Sequence, residues 1–158
     1  MVHIPPMRLV LSACVFFACL CLLAAVPSPA RSGEDMGAAA QATVADIRQR
    51  HGLAPLTVSP ALTRAADAHA QDMQRNGFFS HTGSDGSGVG DRARAAGYGF
   101  CFIAENIAKG QANLDHVMEG WMGSTGHRRN ILSEGAREFA LVRDEDAIWV
   151  MVVGRPGC

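Results

Sequence analysis

The chain has 158 residues, with 14 Lys and Arg against 15 Asp and Glu, and five cysteines. A formal net charge of −1 without any basic run lacks the electrostatic pattern that nucleic acid or an anionic membrane surface would require, so we expect no nucleic-acid partner. The length suits one domain with a hydrophobic core rather than two.

The amino end has the pattern of a secretory signal peptide. Residues 9–26 are almost wholly apolar, one basic residue and no acid precede them, and the small residues Ser28 and Ala30 follow. We therefore predict a signal peptide over residues 1–30. Its removal would leave a secreted or periplasmic protein with no membrane span.

Two alternatives exist for this segment. A run of about 18 apolar residues can just span a bilayer, so a membrane anchor is one, although the small residues directly after the run favour cleavage. Lipidation is the other, because residues 11–14 resemble a bacterial lipoprotein cleavage site that ends at Cys14. The apolar run continues well past Cys14, which argues against it.

The cysteines divide between the predicted signal peptide and the rest of the chain. Cys14, Cys19 and Cys21 lie inside the predicted signal peptide, and only Cys101 and Cys158 lie beyond it. In an oxidising compartment an even pair is expected to form a disulfide, which would tie the last residue to the segment near Phe100. Two free thiols are the alternative.

The predicted elements alternate with glycine-rich turns. Residues 31–41 are rich in Gly and Ala and predict a flexible leader. Ser59 and Pro60 indicate a helix start, and Gly77 its end. The predicted helices are residues 43–51, 60–76, 91–96 and 113–122, and a loop is predicted over residues 83–90.

Strands are predicted late in the chain. Three short runs rich in aromatic and branched residues predict strands over residues 100–103, 139–142 and 147–153. The charged turn at residues 143–146 makes the last two an antiparallel hairpin. Because helices dominate early and strands late, with hairpin connections, the order favours a layered α+β domain.

Polar residues beside turns suggest a functional cleft. His81 follows Phe79-Ser80, Glu105 follows a short apolar run, and His127 follows a Ser/Thr/Gly turn after an amphipathic helix. Two histidines and a glutamate in such places would suit a shallow polar cleft. By contrast, His69 lies on an apolar helical stripe and is predicted to be a core residue bonded to backbone, whereas His51 and His116 are predicted at the surface.

An ordered set of short motifs resembles the CAP superfamily, which comprises the cysteine-rich secretory, antigen 5 and pathogenesis-related 1 proteins, in its bacterial SCP-like form. The motifs are residues 62–73, Phe79-Ser80-His81, Asp85-Gly86, Gly97-Tyr98, Ala104-Glu105-Asn106-Ile107-Ala108, residues 121–132 and residues 149–154. The resemblance implies a single three-layer α-β-α sandwich with a central antiparallel sheet, over residues 42–158.

The resemblance also implies a metal-binding tetrad of two histidines and two acids. His81, Glu105 and His127 match three of its members. The fourth ligand is open. Glu119 is the nearest acid before Trp121, but its spacing differs from the family's, and Asp85 is the other candidate. Imidazole and carboxylate suit zinc. In the alternative interpretation the histidines bond to Glu105 and to backbone, and thereby shape the cleft.

A nucleophile is harder to find. Ser124 lies three residues before His127, but Met122 occupies the place of the first glycine in a Gly-x-Ser-x-Gly elbow. Ser124 is therefore predicted to be a helix or turn cap that lines the cleft.

Three function classes follow. The first is a secreted binding module whose cleft takes a lipid, a cell-envelope fragment or a protein. The second is a peptidase-like hydrolase that uses His81, Glu105 and His127, with or without metal. The third is a structural or interaction protein with an inert cleft. The binding module is favoured, because neither a nucleophile nor a complete ligand set is visible.

Overall fold

The computed structural model describes residues 1, 3 and 32–158. The predicted signal peptide lies outside the described residues except for Met1 and His3, and Cys14 lies outside them as well. Within the described part of the chain, no helix is both long enough and apolar enough to cross a membrane.

Five helices and five strands follow residue 32. The helices are α1 (Gly37–Arg50), α2 (Pro60–Asn76), α3 (Val89–Ala95), α4 (Leu114–Gly123) and α5 (Thr125–Ile131). The strands are β1 (Glu34–Asp35), β2 (Thr57–Val58), β3 (Phe100–Lys109), β4 (Glu138–Arg143) and β5 (Ile148–Pro156).

The strands form one sheet in the order β1-β4-β5-β3. All of these neighbours are antiparallel, and β2 adds one short parallel pairing with β4. The hairpin predicted from the last two strands is confirmed, with Leu141 opposite Met151. Among residues 32–158, β3 pairs only with β5, so its other edge is unpaired by any described strand.

Helices cover both faces of the sheet. In β5, Trp149, Met151 and Val153 belong to the core shared with α1, α4 and α5, whereas the intervening residues Ile148, Val150 and Val152 belong to the core shared with α2 and α3. Such a run is apolar throughout because alternate side chains face opposite layers, both of them buried. The predicted three-layer α+β sandwich is confirmed.

The ends of α2 lie where the sequence predicts them. Ser59 is the N-cap, Pro60 is the first helical residue, and Gly77 ends the helix with a left-handed φ of 66°. The Ser59 hydroxyl, however, makes no capping bond; its carbonyl accepts the first helical bond from Thr63 N. Asn113 caps α4 with its side chain, which accepts from His116 N at 3.0 Å.

Three predicted boundaries are wrong. Residues 34–41, predicted as a flexible leader, form β1 and the start of α1, where Ala40 is fully buried. The strand predicted over residues 100–103 continues to Lys109 because its whole length pairs with β5. The turn predicted before His127 is instead the start of α5, so His127 lies on a helix.

His69 is a core residue, as predicted. Its ring is fully buried, and Nε2 lies 2.8 Å from Ser80 O. A carbonyl only accepts, so Nε2 carries the proton of a neutral ring. Burial lowers the pKa of His69, and the charge of Glu105 opposes that change only in part. His51 and His116 are exposed, also as predicted.

The predicted disulfide is present between Cys101 and Cys158. Their α carbons lie 5.3 Å apart, and the bond closes a separation of 57 residues along the chain. It therefore fastens the last residue to the beginning of β3.

Trp121 on α4 is expected to be a major source of stability. Its indole is 2% exposed and donates from Nε1 to Ile107 O at 3.4 Å. Trp121→Ala should lower the free energy of unfolding in urea by about 3–5 kcal/mol. Trp121→Phe should cost clearly less, and a loss below about 1 kcal/mol for the alanine variant would contradict a structural role.

Reduction of the disulfide should also destabilise the fold. In the chain-entropy account, closing a loop of this length adds about 4 kcal/mol to the free energy of unfolding. Chemical denaturation with and without reductant measures the difference, and thiol titration of the unreduced, denatured protein counts free cysteines. Two reactive thiols at Cys101 and Cys158 in exported protein would show that the bond does not form.

Stability should fall as the pH falls through about 6.5, the ordinary pKa of histidine. The pKa of His69 in the folded protein lies below that value. As the pH falls, the unfolded chain therefore binds a proton before the folded chain does, and the free energy of unfolding decreases. This decrease ends once the pH is below the folded-state pKa. Unfolding followed from about pH 7.5 to pH 5 should show a smaller loss for His69→Gln than for wild type. The exposed control His116→Gln should behave as wild type, and identical pH profiles for all three proteins would refute the effect.

Candidate functional site

The candidate site lies at the open edge of β3. Successive strand residues face opposite layers, so Glu105 faces α2 and α3 whereas Asn106 faces α4 and α5. Both side chains are buried. The sequence predicted that Glu105 follows a strand, but it lies within β3 because its backbone pairs opposite Val152.

Glu105 is a buried carboxylate with a partner on each oxygen. Oε2 accepts from Nη2 of Arg92 at 2.7 Å, and Oε1 lies 2.8 Å from Nδ1 of His81. Nε2 of His69 lies 3.8 Å from Oε1. The Glu105 side chain is 2% exposed, so its charge is compensated by Arg92 rather than by solvent.

His81 is the solvent-facing member of this cluster, with a side chain 57% exposed. It lies in the loop that follows α2. The carboxylate of Glu105 accepts, so Nδ1 of His81 donates, and in the neutral ring Nε2 is left as the acceptor. Arg92 also donates from Nη2 to the His81 carbonyl at 3.1 Å, which fixes the loop backbone.

His127 reaches the site from the other layer. Asn106 donates to the His127 carbonyl at 3.1 Å, and Asn130 donates to Asn106 Oδ1 at 2.8 Å and to the Glu105 carbonyl at 3.2 Å. These bonds dock α5 against β3. Burial lowers the pKa of His127, and the nearby His81 lowers it further, so the ring is neutral at physiological pH.

A cleft of about 360 Å³ opens beside His127. Ser124 and His127 line it together with the indole of Trp121 and the ring of Phe79, which is 47% exposed. Ser124 is the residue between α4 and α5, as predicted for a cap, but its hydroxyl makes no capping bond. The cleft is therefore mainly apolar, and its polar lining residues are Lys109, Gln111, Ser124 and His127.

Of the predicted cleft residues, only Ser124 and His127 line this cleft; His81 and Glu105 instead form the cluster with Arg92. Two further candidates lie elsewhere. Asp85 lines a different cavity, between α2 and α3, where its Oδ1 accepts from Ser87 N at 2.8 Å. Hydrogen bonds from Ser87 lower the pKa of Asp85, in keeping with a role in shaping its own loop. Glu119 is exposed on α4 and does not line the cleft beside His127.

The predicted zinc tetrad does not fit this arrangement. Both oxygens of Glu105 are engaged by Arg92 and His81, and a guanidinium beside that carboxylate disfavours a second cation. Among residues 32–158, no three His, Cys, Asp or Glu side chains are placed together to hold a metal ion. Zinc held by His81, His127, Glu105 and Glu119 therefore lacks structural support.

Sequence reasoning missed three residues of the site. Arg92 lies in a short predicted helix and was given no role. Its place soon after a glycine-rich loop is only a weak indication of a functional residue. Asn106 and Asn130 were part of recognised motifs but had no assigned role. Their bonding becomes visible only once α5 packs on β3.

Comparisons with known proteins agree with this architecture. Residues 41–151 match the model of the cysteine-rich secretory protein family, CAP. The uncharacterized protein YkwD of Bacillus subtilis (strain 168) is 38% identical over 86 residues, which are 54% of this chain and 34% of YkwD. The uncharacterized membrane protein YlbC of the same strain is 34% identical over 87 residues, 55% of this chain and 25% of YlbC. The chain thus matches only about a third or less of these relatives.

Solved structures show the same fold. An extracellular protein containing a SCP domain from Bacillus anthracis superposes with a TM-score of 0.69 at 27% identity, over 76% of this chain and 41% of that one. An outer surface protein of Borrelia burgdorferi has a TM-score of 0.69 at 19% identity, over 79% and 99% of the two chains. With the family match across residues 41–151, these likenesses lead to one conclusion: the chain belongs to the cysteine-rich secretory protein family.

Proposed function

We propose that this CAP-domain protein is an extracytoplasmic binding module. Its ligand places an apolar group in the cleft beside His127 and a polar group at the two histidines. The observation that carries the proposal is the mixed character of the cleft. Phe79 and Trp121 line about 360 Å³ of space together with Ser124 and His127, whose pKa is lowered by burial.

The exposed phenyl ring supports a binding role. Phe79 is the one large apolar side chain besides Met1 that is strongly exposed in the described part of the chain. An aromatic ring left in water beside a concave surface gains contact area when a ligand covers it. The cost of that exposure in the free protein is therefore consistent with recognition.

The histidines supply the polar half of the proposed contact. Nε2 of His81 is an acceptor, because Nδ1 donates to Glu105. The ring of His127 is neutral and so offers one donor and one acceptor. A ligand hydroxyl, amide or carboxylic acid would match these groups. Lipids, cell-envelope fragments and peptides all contain such groups.

Export is part of the proposal. The Cys101–Cys158 disulfide is typical of proteins outside the cytosol. The Bacillus anthracis neighbour is described as extracellular. Both support a secreted or periplasmic location for this chain.

A hydrolase is the second candidate, and one observation favours it. The His81–Glu105 bond orients an imidazole with its Nε2 lone pair outward, as a general base requires. Against it, Arg92 compensates the carboxylate, and no hydrogen bond joins Ser124 to His127 among the described residues. Residues 32–158 thus show no Ser124 hydroxyl activated by a bonded histidine.

Binding is tested by calorimetry with three probes: palmitate, a peptidoglycan disaccharide-tetrapeptide, and short apolar peptides. We expect one class to bind saturably, and Phe79→Ala and His127→Ala each to weaken that binding about tenfold, as loss of one good contact does. His116→Ala is the matched control, since His116 is exposed on α4 and outside the cleft. If Phe79→Ala and His127→Ala bind the probe as tightly as His116→Ala does, the ligand binds elsewhere on the protein.

The same probes separate binding from turnover. For a binding module we expect no products after prolonged incubation, by mass spectrometry. Robust hydrolysis that His81→Ala or Glu105→Gln abolishes, with the unfolding transition retained, would replace the binding module by the hydrolase. The thermal unfolding of Glu105→Gln must be measured as a control, because this substitution leaves the buried Arg92 without its counter-charge.

A further inference from the structure

A second cavity, of about 540 Å³, lies between α2, the loop at residues 83–88 and α3. Alanines at positions 65, 68, 95 and 96 leave room for it, since they project little from the facing helices. The arginines Arg64, Arg75 and Arg92 line it, as do Asp72 and Asp85. None of the residues that line the cleft beside His127 lines this cavity.

Arg92 lines this cavity and has a buried donor without a protein partner. Its side chain is 8% exposed, with Nη1 donating to Ser87 O at 2.7 Å and Nη2 donating to Glu105 and His81. Nε is also buried, but no described residue accepts from it. A buried donor without a protein acceptor is costly, so the bonding of Arg92 at this wall of the cavity is incomplete.

The two aspartates are already committed to the loop. Asp72 accepts from Ser84 N at 2.8 Å, Ser84 Oγ at 2.6 Å and Asn76 Nδ2 at 2.7 Å, and Asp85 accepts from Ser87 N. A Cβ at Gly83 would lie 2.9 Å from Asp85 Oδ1 and 2.8 Å from Ser87 Oγ, so the loop packs closely. The two carboxylates therefore hold the loop in place on this side of the cavity.

The guanidinium groups, in contrast, retain donors. Arg64 uses Nη2 to reach Ala96 O at 2.9 Å, and Arg64 and Arg75 are both exposed at the cavity mouth. A guanidinium carries five N–H donors in a planar fork that matches carboxylate and phosphate oxygens. Guanidinium donors therefore remain at the cavity mouth, which favours a ligand that accepts.

We propose that this cavity is a second binding site, which takes the oxyanion group of a small ligand, a carboxylate or a phosphate. The oxyanion accepts from the exposed guanidinium groups of Arg64 and Arg75, Arg92 forms the buried wall behind them, and the rest of the ligand lies against the alanines. Since Arg92 also holds Glu105 and the His81 loop, a ligand here contacts the residue that supports the first site.

The test uses inorganic phosphate and N-acetylglycine, titrated into the full mature protein at low ionic strength and followed by backbone amide chemical shifts. We expect saturable shifts around Arg92 and the loop at residues 83–88, and weaker binding as salt is added. Arg64→Gln with Arg75→Gln should weaken binding about tenfold or more, because charge-assisted bonds are lost at exposed positions. Ala68→Leu should abolish binding by filling the cavity without changing charge.

Matched controls exist on other helices. Arg129→Gln removes an exposed guanidinium from α5, and Ala39→Leu adds the same volume at an exposed position of α1. Both should bind as wild type does, as should Phe79→Ala, which belongs to the first cleft. Absence of saturable shifts with either probe, or equal binding by Ala68→Leu and wild type, would overturn the proposal while leaving the first site untouched.

Discussion

The buried ion pair between Glu105 and Arg92 is the interaction on which the rest of the site depends. A carboxylate in the middle of a strand, shielded from solvent, requires a compensating charge, and removing one partner of such a pair costs about 3–5 kcal/mol. Arg92 meets this need and at the same time donates to Ser87 O and His81 O. One side chain therefore joins α3, the glycine-rich loop and β3.

The open edge of β3 is the second constraint. An unpaired strand edge invites association with other chains, and proteins usually cover it. Here Asn130 donates to the Glu105 carbonyl and Trp121 donates to the Ile107 carbonyl, so side chains of α5 and α4 occupy part of that edge. The same docking brings His127 towards His81. Protection of the edge and assembly of the site thus use the same contacts.

Arg92 lies between two concave surfaces of different chemistry. On one side it bonds to Glu105 and to the His81 loop, near the cleft that His127 lines with Phe79 and Trp121. On the other it lines a cavity whose carboxylates are bonded to their own loop and whose guanidinium groups retain donors. The two surfaces favour ligand groups of different kinds, one apolar with a polar end and one anionic.

Local sequence determined the layered α+β class, the ends of α2 at Pro60 and Gly77, and the terminal hairpin, because capping, turn and alternation signals act over a few residues. The two cysteines beyond residue 30 predicted the disulfide, with free thiols as the alternative, and the structure shows the bond. The motifs also predicted a site at His81, Glu105 and His127, and the structure bonds His81 to Glu105. Only the tertiary structure decided that Glu105 lies within a strand, that Arg92 compensates it, and that Asp85 and Glu119 lie outside the cleft. Burial, charge compensation and strand pairing join residues far apart in the chain, and no local pattern contains them.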